Sequence, residues 1–258
     1  MSIDFAELTS PEIGQAADRN ALILIPVGQV EEHGRHLPLN TDVIIADRIA
    51  RGAAERIADD IPVLVTPPLW AGYSAKEMTR WPGTIRLSLQ TVTDTVFGIA
   101  RSLVEMGFRK IAVINGHGHH TDLIRTAARM LADETDVHML IADVAGVAAE
   151  AARQHLKAPP GGSAHGGEFE TSLMLYFGAR VEMDEAVAEN AVRHSVETMP
   201  RDSFKGTSRG AWWSMWALQR SQTGILGNPT FADIETGRLI AEAAIENLAE
   251  ILRDYWRA

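Results

Sequence analysis

The sequence predicts an α/β fold, with a mostly parallel central sheet and helices on both of its faces. Two observations predict it. Short, nearly continuous apolar runs recur along the chain, and segments with apolar residues at three- and four-residue spacing lie between them. A strand covered on both faces reads as an unbroken apolar run rather than an alternating one. Strands and helices in βαβα order assemble a parallel sheet, and their crossovers are right-handed.

Residues 21–27 (ALILIPV) are the first such run, and residues 42–57 follow with a helical period and Ala-rich turns. Residues 62–66 (PVLVT) read as a second strand, stopped by Pro67 and Pro68. Ser88 or Thr91 caps a helix that runs to about Met106 and ends at Gly107. A third strand is predicted over 110–115 (KIAVIN), a helix over 119–132 and a fourth strand over 137–142 (VHMLIA). Residues 158–167 (APPGGSAHGG) read as a loop. The pattern on either side does not change character, so residues 1–258 are taken as one domain. Residues 168–177 are helix-like. Residues 195–229 are polar and broken by Gly and Pro, with Trp212, Trp213 and Trp216 among them. Thr230 and Asp233 resemble a capping box ahead of a long helix over 234–255.

Composition narrows the chemistry. The chain has 258 residues, 24 Lys and Arg against 34 Asp and Glu, and no cysteine. Without cysteine there is no disulfide, no thiolate metal site and no cysteine nucleophile, so any metal must be held by nitrogen and oxygen. A net charge of −10 argues against nucleic acid as a partner. The N-terminal MSIDFAELTSPEIG lacks a basic-then-apolar signal pattern. The early apolar run falls far short of the ~18–20 residues a membrane span needs. The expectation is a cytoplasmic protein with no membrane partner.

Ligands of open parallel sheets lie at the carboxyl ends of the strands, and two polar clusters fall there. The first strand is followed by GQVEEHGRHLPLNTD and the third by GHGHH. Side chains two residues apart point to one side of an extended chain, so Glu31 and His33 can chelate from a loop but not from a helix. That loop also holds His36, and Asp42 stands where it meets the next helix. The alternative is solvated loop residues with Asp42 as a cap, the usual reading of an isolated Glu-x-His; four ligand-capable side chains at the functional edge weaken it. His117 sits between two glycines that let a ligand approach closely. A third cluster places His165 in a loop and Glu170 in the first turns of a helix whose face is partly apolar. A carboxylate there is costly unless paired or bound to metal.

Together these motifs resemble the creatininase (creatinine amidohydrolase) family. The resemblance rests on Pro26-Val-Gly28-x-x-Glu31-x-His33-Gly34-x-His36-Leu-Pro38-Leu-x-Thr-Asp42, Asn115-Gly-His117-Gly and His165-Gly-Gly-x-x-Glu170-Thr-Ser. Pro82-Gly83-Thr84 and Gly227-x-Pro229 add to it, and the motifs run in family order. The resemblance implies a three-layer α/β/α fold with a binuclear metal centre. Glu31, Asp42 and His117 are then the ligands of one ion. His33, Asp42 and a further carboxylate, assigned to Glu170, are those of the other, with Asp42 bridging. Creatininase carries a glutamate where this chain has His119, which leaves His119 and Glu170 as rivals for the second ion. His165 matches the catalytic histidine.

The implied cofactors are two divalent ions, Zn2+ first and Mn2+ or Fe2+ as alternatives. The implied partners are a small-molecule substrate and further copies of the chain, commonly as a homohexamer. Glu32, His36, Asn115, His119 and Trp81 are expected around the ligands or the substrate. Lys76, Glu77 and Arg80 precede the Pro-Gly-Thr turn and read either as groups that reach substrate or as a solvated loop, and Gly166 and Gly167 are candidate backbone donors. Trp212 and Trp216 share a helical face that reads as core or subunit interface. The approach to His165, residues 159–164, departs from creatininase itself, so the substrate class is left wider than creatinine. The leading expectation is hydrolysis of a C–N bond in a cyclic amide or formamide. Ring opening of an oxidised inositol and a metal-dependent binding module without turnover are the alternatives.

Overall fold

Strand β1 (Leu22–Val27) is buried along its whole length. It pairs in parallel with β2 (Val63–Val65) on one side and with β3 (Lys110–Asn115) on the other. Strand β4 (Leu140–Asp143) continues the sheet beyond β3, giving the order β2-β1-β3-β4. The computed structural model describes residues 2–189, 203–204 and 221–258.

Alternation along β1 sorts its side chains into two cores. Leu22 and Leu24 join one core with α2 (Thr41–Ile57), α5 (Val144–Val147), α6 (Ala149–His155), α7 (Glu168–Tyr176) and α8 (Ile234–Arg257). Ile23, Ile25 and Val27 join the other with α1 (Ser10–Asp18), α3 (Leu89–Glu105) and α4 (Thr121–Thr135). The unbroken apolar run is thus the signature of a strand sandwiched between helices. Each buried aliphatic side chain contributes roughly 1.5–3 kcal/mol, so the sheet is a rigid base for the loops at its carboxyl edge.

Helix α1 is not among the expected elements; only Ala16 on it is buried, and its signal is the capping box of Thr9 and Glu12, with Pro at the start. Four expectations need correction. Residues 158–167 are not all loop. They contain β5 (Ser163–His165), which pairs antiparallel with β6 (Leu226–Gly227), a partner far away in sequence. The fourth strand begins at Leu140, and the helix expected from residue 119 begins at Thr121 after a 3-10 turn over Gly118–His120. Asp233, not Thr230, caps α8, accepting from the Thr236 amide at 2.9 Å, while Thr230 bonds Asn228 in the preceding turn. Trp212, Trp213 and Trp216 lie outside the described residues.

Candidate metal centre

The site is built where α2 starts. Its first turn carries Asp42, buried to 1% exposure. Two glycines let that turn sit directly on the strand ends. A Cβ at Gly28, after β1, would lie 2.4 Å from Val43 Cα, and one at Gly116, after β3, would lie 2.5 Å from the Asp42 carbonyl oxygen. No side chain fits there, which explains why glycine follows both strands. The loop after β1 then brings Glu31 and His33 to Asp42, and the loop after β3 brings His117.

Asp42 divides its two oxygens. Oδ1 is 3.1 Å from His33 Nε2, and Oδ2 is 2.8 Å from His117 Nδ1. The second approach is close but off the direction of a hydrogen bond, so Oδ2 is buried without a hydrogen-bond partner. Glu31 Oε1 is 3.4 Å from His117 Nδ1, and Glu170 Oε2 is 3.9 Å from His33 Nε2. Among the described residues three donor triads have atoms within 4.8 Å of one another: Glu31, Asp42 and His117; His33, Asp42 and Glu170; and Glu31, His33 and His165. The first two are the sets expected from the motifs.

Each imidazole turns one nitrogen to this cluster and the other to a backbone carbonyl. His33 Nδ1 faces the Glu31 oxygen at 3.2 Å, His117 Nε2 the Tyr73 oxygen at 3.2 Å, and His165 Nε2 the Glu32 oxygen at 2.9 Å. This is the arrangement that fixes tautomer and ring orientation in metal-ligating histidines. Donors of nitrogen and oxygen only, a carboxylate shared by two triads and carbonyl-anchored imidazoles fit a pair of divalent ions.

The electrostatics agree. Burial alone would discharge His33, yet the Asp42 and Glu170 carboxylates raise its pKa well above the ordinary value. Burial opposes charge on His117 too, but Glu31 and Asp42 raise it to about 9. Burial would raise Asp42, and the His33 and His117 imidazoles instead hold it far below the usual carboxylate range. A field that holds protons this firmly favours any cation placed between the same groups. His165 feels burial and His33 against it, but Glu32, Glu31 and Glu170 leave its pKa raised. Burial pushes the Glu170 carboxyl up.

The other expected residues take distinct places. Glu32 is buried, its Oε2 accepting from the Gly34 amide at 2.9 Å and its Oε1 standing 3.6 Å from His165 Nε2. Asn115 donates to the His117 oxygen at 2.9 Å and to Asp143 Oδ1 at 2.7 Å, so it shapes the loop that carries His117. His36 bonds Thr171 Oγ1 on α7 at 3.0 Å, and burial lowers its pKa to about 4, leaving it neutral. His119 is in none of the three triads. Its ring stands 5.1 Å from that of His117, and burial together with that neighbour lowers its pKa to about 2. Of the two rivals for the second ion, Glu170 falls within a donor triad with His33 and Asp42, and His119 does not. Trp81 packs with Met78, Leu226 and Ala164 beside β5 and β6, under the Arg80 guanidinium, rather than within a triad.

Helix α7 separates its two acids. Glu170 reaches the cluster and accepts from the Gly166 amide at 2.6 Å. Glu168 turns away and accepts from the Lys157 and Ala158 amides. Sequence reading passed over Gln29, Ser74 and His120, all buried beside the site. His120 accepts from the Tyr73 amide at 2.9 Å, under Gly72, where a Cβ would collide with it. Gly72 is the one local signal that could have pointed to this close approach. Asp143 was also missed, although it ends β4 at the predicted functional edge.

Comparison with known proteins decides the family. The family model for creatininase, described as creatinine amidohydrolase, matches residues 6–252. The chain belongs to the creatininase family. Creatinine amidohydrolase of Pseudomonas putida is 29% identical, over 98% of this chain and 97% of that protein. Mycofactocin precursor peptide peptidase of Mycobacterium tuberculosis is also 29% identical, over 93% and 88%. The 3-dehydro-scyllo-inosose hydrolase of Thermotoga maritima is 31% identical, but over only 44% of this chain and 35% of that protein. Among solved structures, creatininase Mn superposes with a TM-score of 0.83 at 27% identity, covering both chains fully. A creatininase variant of Zn-Zn type gives 0.84 at 26%, again over both chains. The family, the α/β fold and the hydrolase class expected from the motifs are borne out, and the Mn and Zn-Zn forms of creatininase, with the donor triads here, support divalent metal ions as the cofactor.

Proposed function

We propose that this creatininase-family chain cleaves a C–N amide bond of a small cyclic amide or formamide with a metal-activated water. The observation that carries the reading is the pair of donor triads sharing Asp42, with their imidazoles pinned by backbone carbonyls. In this reading Glu31, Asp42 and His117 hold one ion, and His33, Asp42 and Glu170 hold the other, Zn2+ first and Mn2+ or Fe2+ next. Bound there, two such ions would polarise a substrate carbonyl and lower the pKa of a shared water toward ~7.

The chain's own residues supply the rest. His165 has Nε2 committed to the Glu32 carbonyl, so Nδ1 is the atom that carries a proton toward the leaving nitrogen. Nδ1 stands 3.7 Å from Glu31 Oε1, on the cluster side of the ring. Proton transfer from a positioned histidine contributes of order 10²–10⁴ in rate. The Asp42 carboxylate stays ionised between the His33 and His117 imidazoles, and near-complete burial of the donors excludes bulk water, with Glu170 on the more open side at 16% side-chain exposure.

A second reading is ring opening of a cyclic polyol ketone, favoured by the partial match to the inosose hydrolase. The peptidase relative adds a linear peptide amide to the substrates worth testing. We further propose one catalytic domain, a cytoplasmic location and a homo-oligomer, a hexamer by family resemblance. No described helix is long and apolar enough to cross a membrane. The test is turnover of the zinc- or manganese-loaded protein on creatinine, a formamide, a short peptide and an oxidised inositol. Cleavage of an amide supports the leading reading. Turnover of the inositol alone replaces it with the second, and no turnover on any compound leaves a metal-dependent binding module.

A further inference from the structure

Resting on the metal-centre reading above, we propose that Ser74, oriented by Gln29, is a positioning residue that fixes which oxygen of Glu31 faces the cation. Three separate stretches of chain meet here. Gln29 and Glu31 lie two apart in the segment after β1, Ser74 follows Gly72, which bridges in parallel to Arg86, and Ile85 comes from the segment after Pro82-Gly83-Thr84. The segments are tied by backbone bonds from Val30 to Trp70 at 2.8 Å and from Ile85 to Val30 at 3.0 Å. Gln29 and Ser74 are fully buried and Glu31 is 1% exposed.

The directions of the hydrogen bonds follow from the atoms available. Gln29 Nε2 donates to the Ile85 carbonyl at 2.5 Å and to Ser74 Oγ at 2.8 Å. The amide cannot be turned over, because Oε1 would then face the Ile85 oxygen, acceptor against acceptor. In the orientation present, Gln29 Oε1 is buried without a hydrogen-bond partner, an arrangement that costs stability. Ser74 Oγ receives one of the amide hydrogens, so its single proton must point elsewhere. It points at Glu31 Oε2, 2.5 Å away. That oxygen is thereby occupied, and Oε1 is the one left facing His117 Nδ1 at 3.4 Å and His165 Nδ1 at 3.7 Å. The brace makes Glu31 a one-oxygen donor of fixed orientation, and a partner that orients a metal-binding carboxylate shapes metal affinity.

The experiment is Zn2+ binding in competition with a chromophoric chelator, alongside the Tm of the metal-free proteins. Ser74→Ala should weaken one of the two zinc positions about 10–100-fold, while the metal-free protein stays folded with a Tm lower by only a few degrees, the cost of a buried Glu31 oxygen without its donor. Gln29→Met, which removes both amide donors, should shift the same position in the same direction by less. Unchanged affinity at both positions in Ser74→Ala overturns the brace and leaves the centre standing. A wild-type chain that takes up no Zn2+ overturns the centre and the brace with it. Should Ser74→Ala fail to fold, Gln29→Met decides: weakened zinc binding supports the brace and unchanged binding overturns it.

Discussion

The proton-transfer role proposed for His165 rests on the division of its two nitrogens. The Glu32 carbonyl takes Nε2, and Nδ1 is turned to the carboxylates. His165→Ala should therefore keep its metal and lose about 10²–10⁴ in kcat, read by steady-state kinetics beside elemental analysis of the same sample. A variant that turns over at the wild-type rate removes the proton-transfer role. At this scale the proposed ligands were legible because chelation leaves a spacing. Glu31 and His33 alternate in an extended loop, and His117 is flanked by glycines. Ser74 left no such trace. It lies in a polar stretch without a period, and its partner Glu31 is 43 residues away. His119 shows the converse: a ligand-capable side chain in a promising motif whose ring is placed next to the cluster but outside its triads.

Helix α8 packs on both helices that carry site carboxylates, α7 with Glu170 and α2 with Asp42. Close approach to α7 is possible because Gly237 faces the Ser172 carbonyl, where a Cβ would collide. Asp233 fixes the start of α8. Burial alone would raise its pKa, but hydrogen bonds from Lys157 and Thr236 outweigh that and hold it at about 2. Because the folded value lies below the usual ~3.9, the stabilisation is complete above about pH 4 and is lost as the pH falls toward 2. Asp233→Ala should cost about 1 kcal/mol at pH 7, a Tm loss of roughly 2–4 °C for a chain of this size. The gap to wild type should narrow at pH 3. Thermal scans at the two pH values check this, and an equal gap at both would contradict it. The long helix and the doubly buried strands β1 and β3 were legible because burial on a fixed period is written into local sequence. Strands β5 and β6 were not, since each is two or three residues long and stabilised by a partner that local pattern does not reveal.

The whole molecule is a parallel sheet whose carboxyl edge gathers loops remote in sequence. Gly28 and Gly116 remove the side chains that would keep α2 off the strand ends, and α2 then delivers Asp42 between the imidazoles of two different loops. Every other proposed donor is arranged around that carboxylate, so the account stands or falls on its bridging role. The direct measurement is metal content per chain, by elemental analysis of zinc-saturated and desalted protein, for wild type and Asp42→Ala side by side. The account predicts two ions in the wild type and one or none in the variant. Two ions retained by a folded Asp42→Ala protein would contradict it.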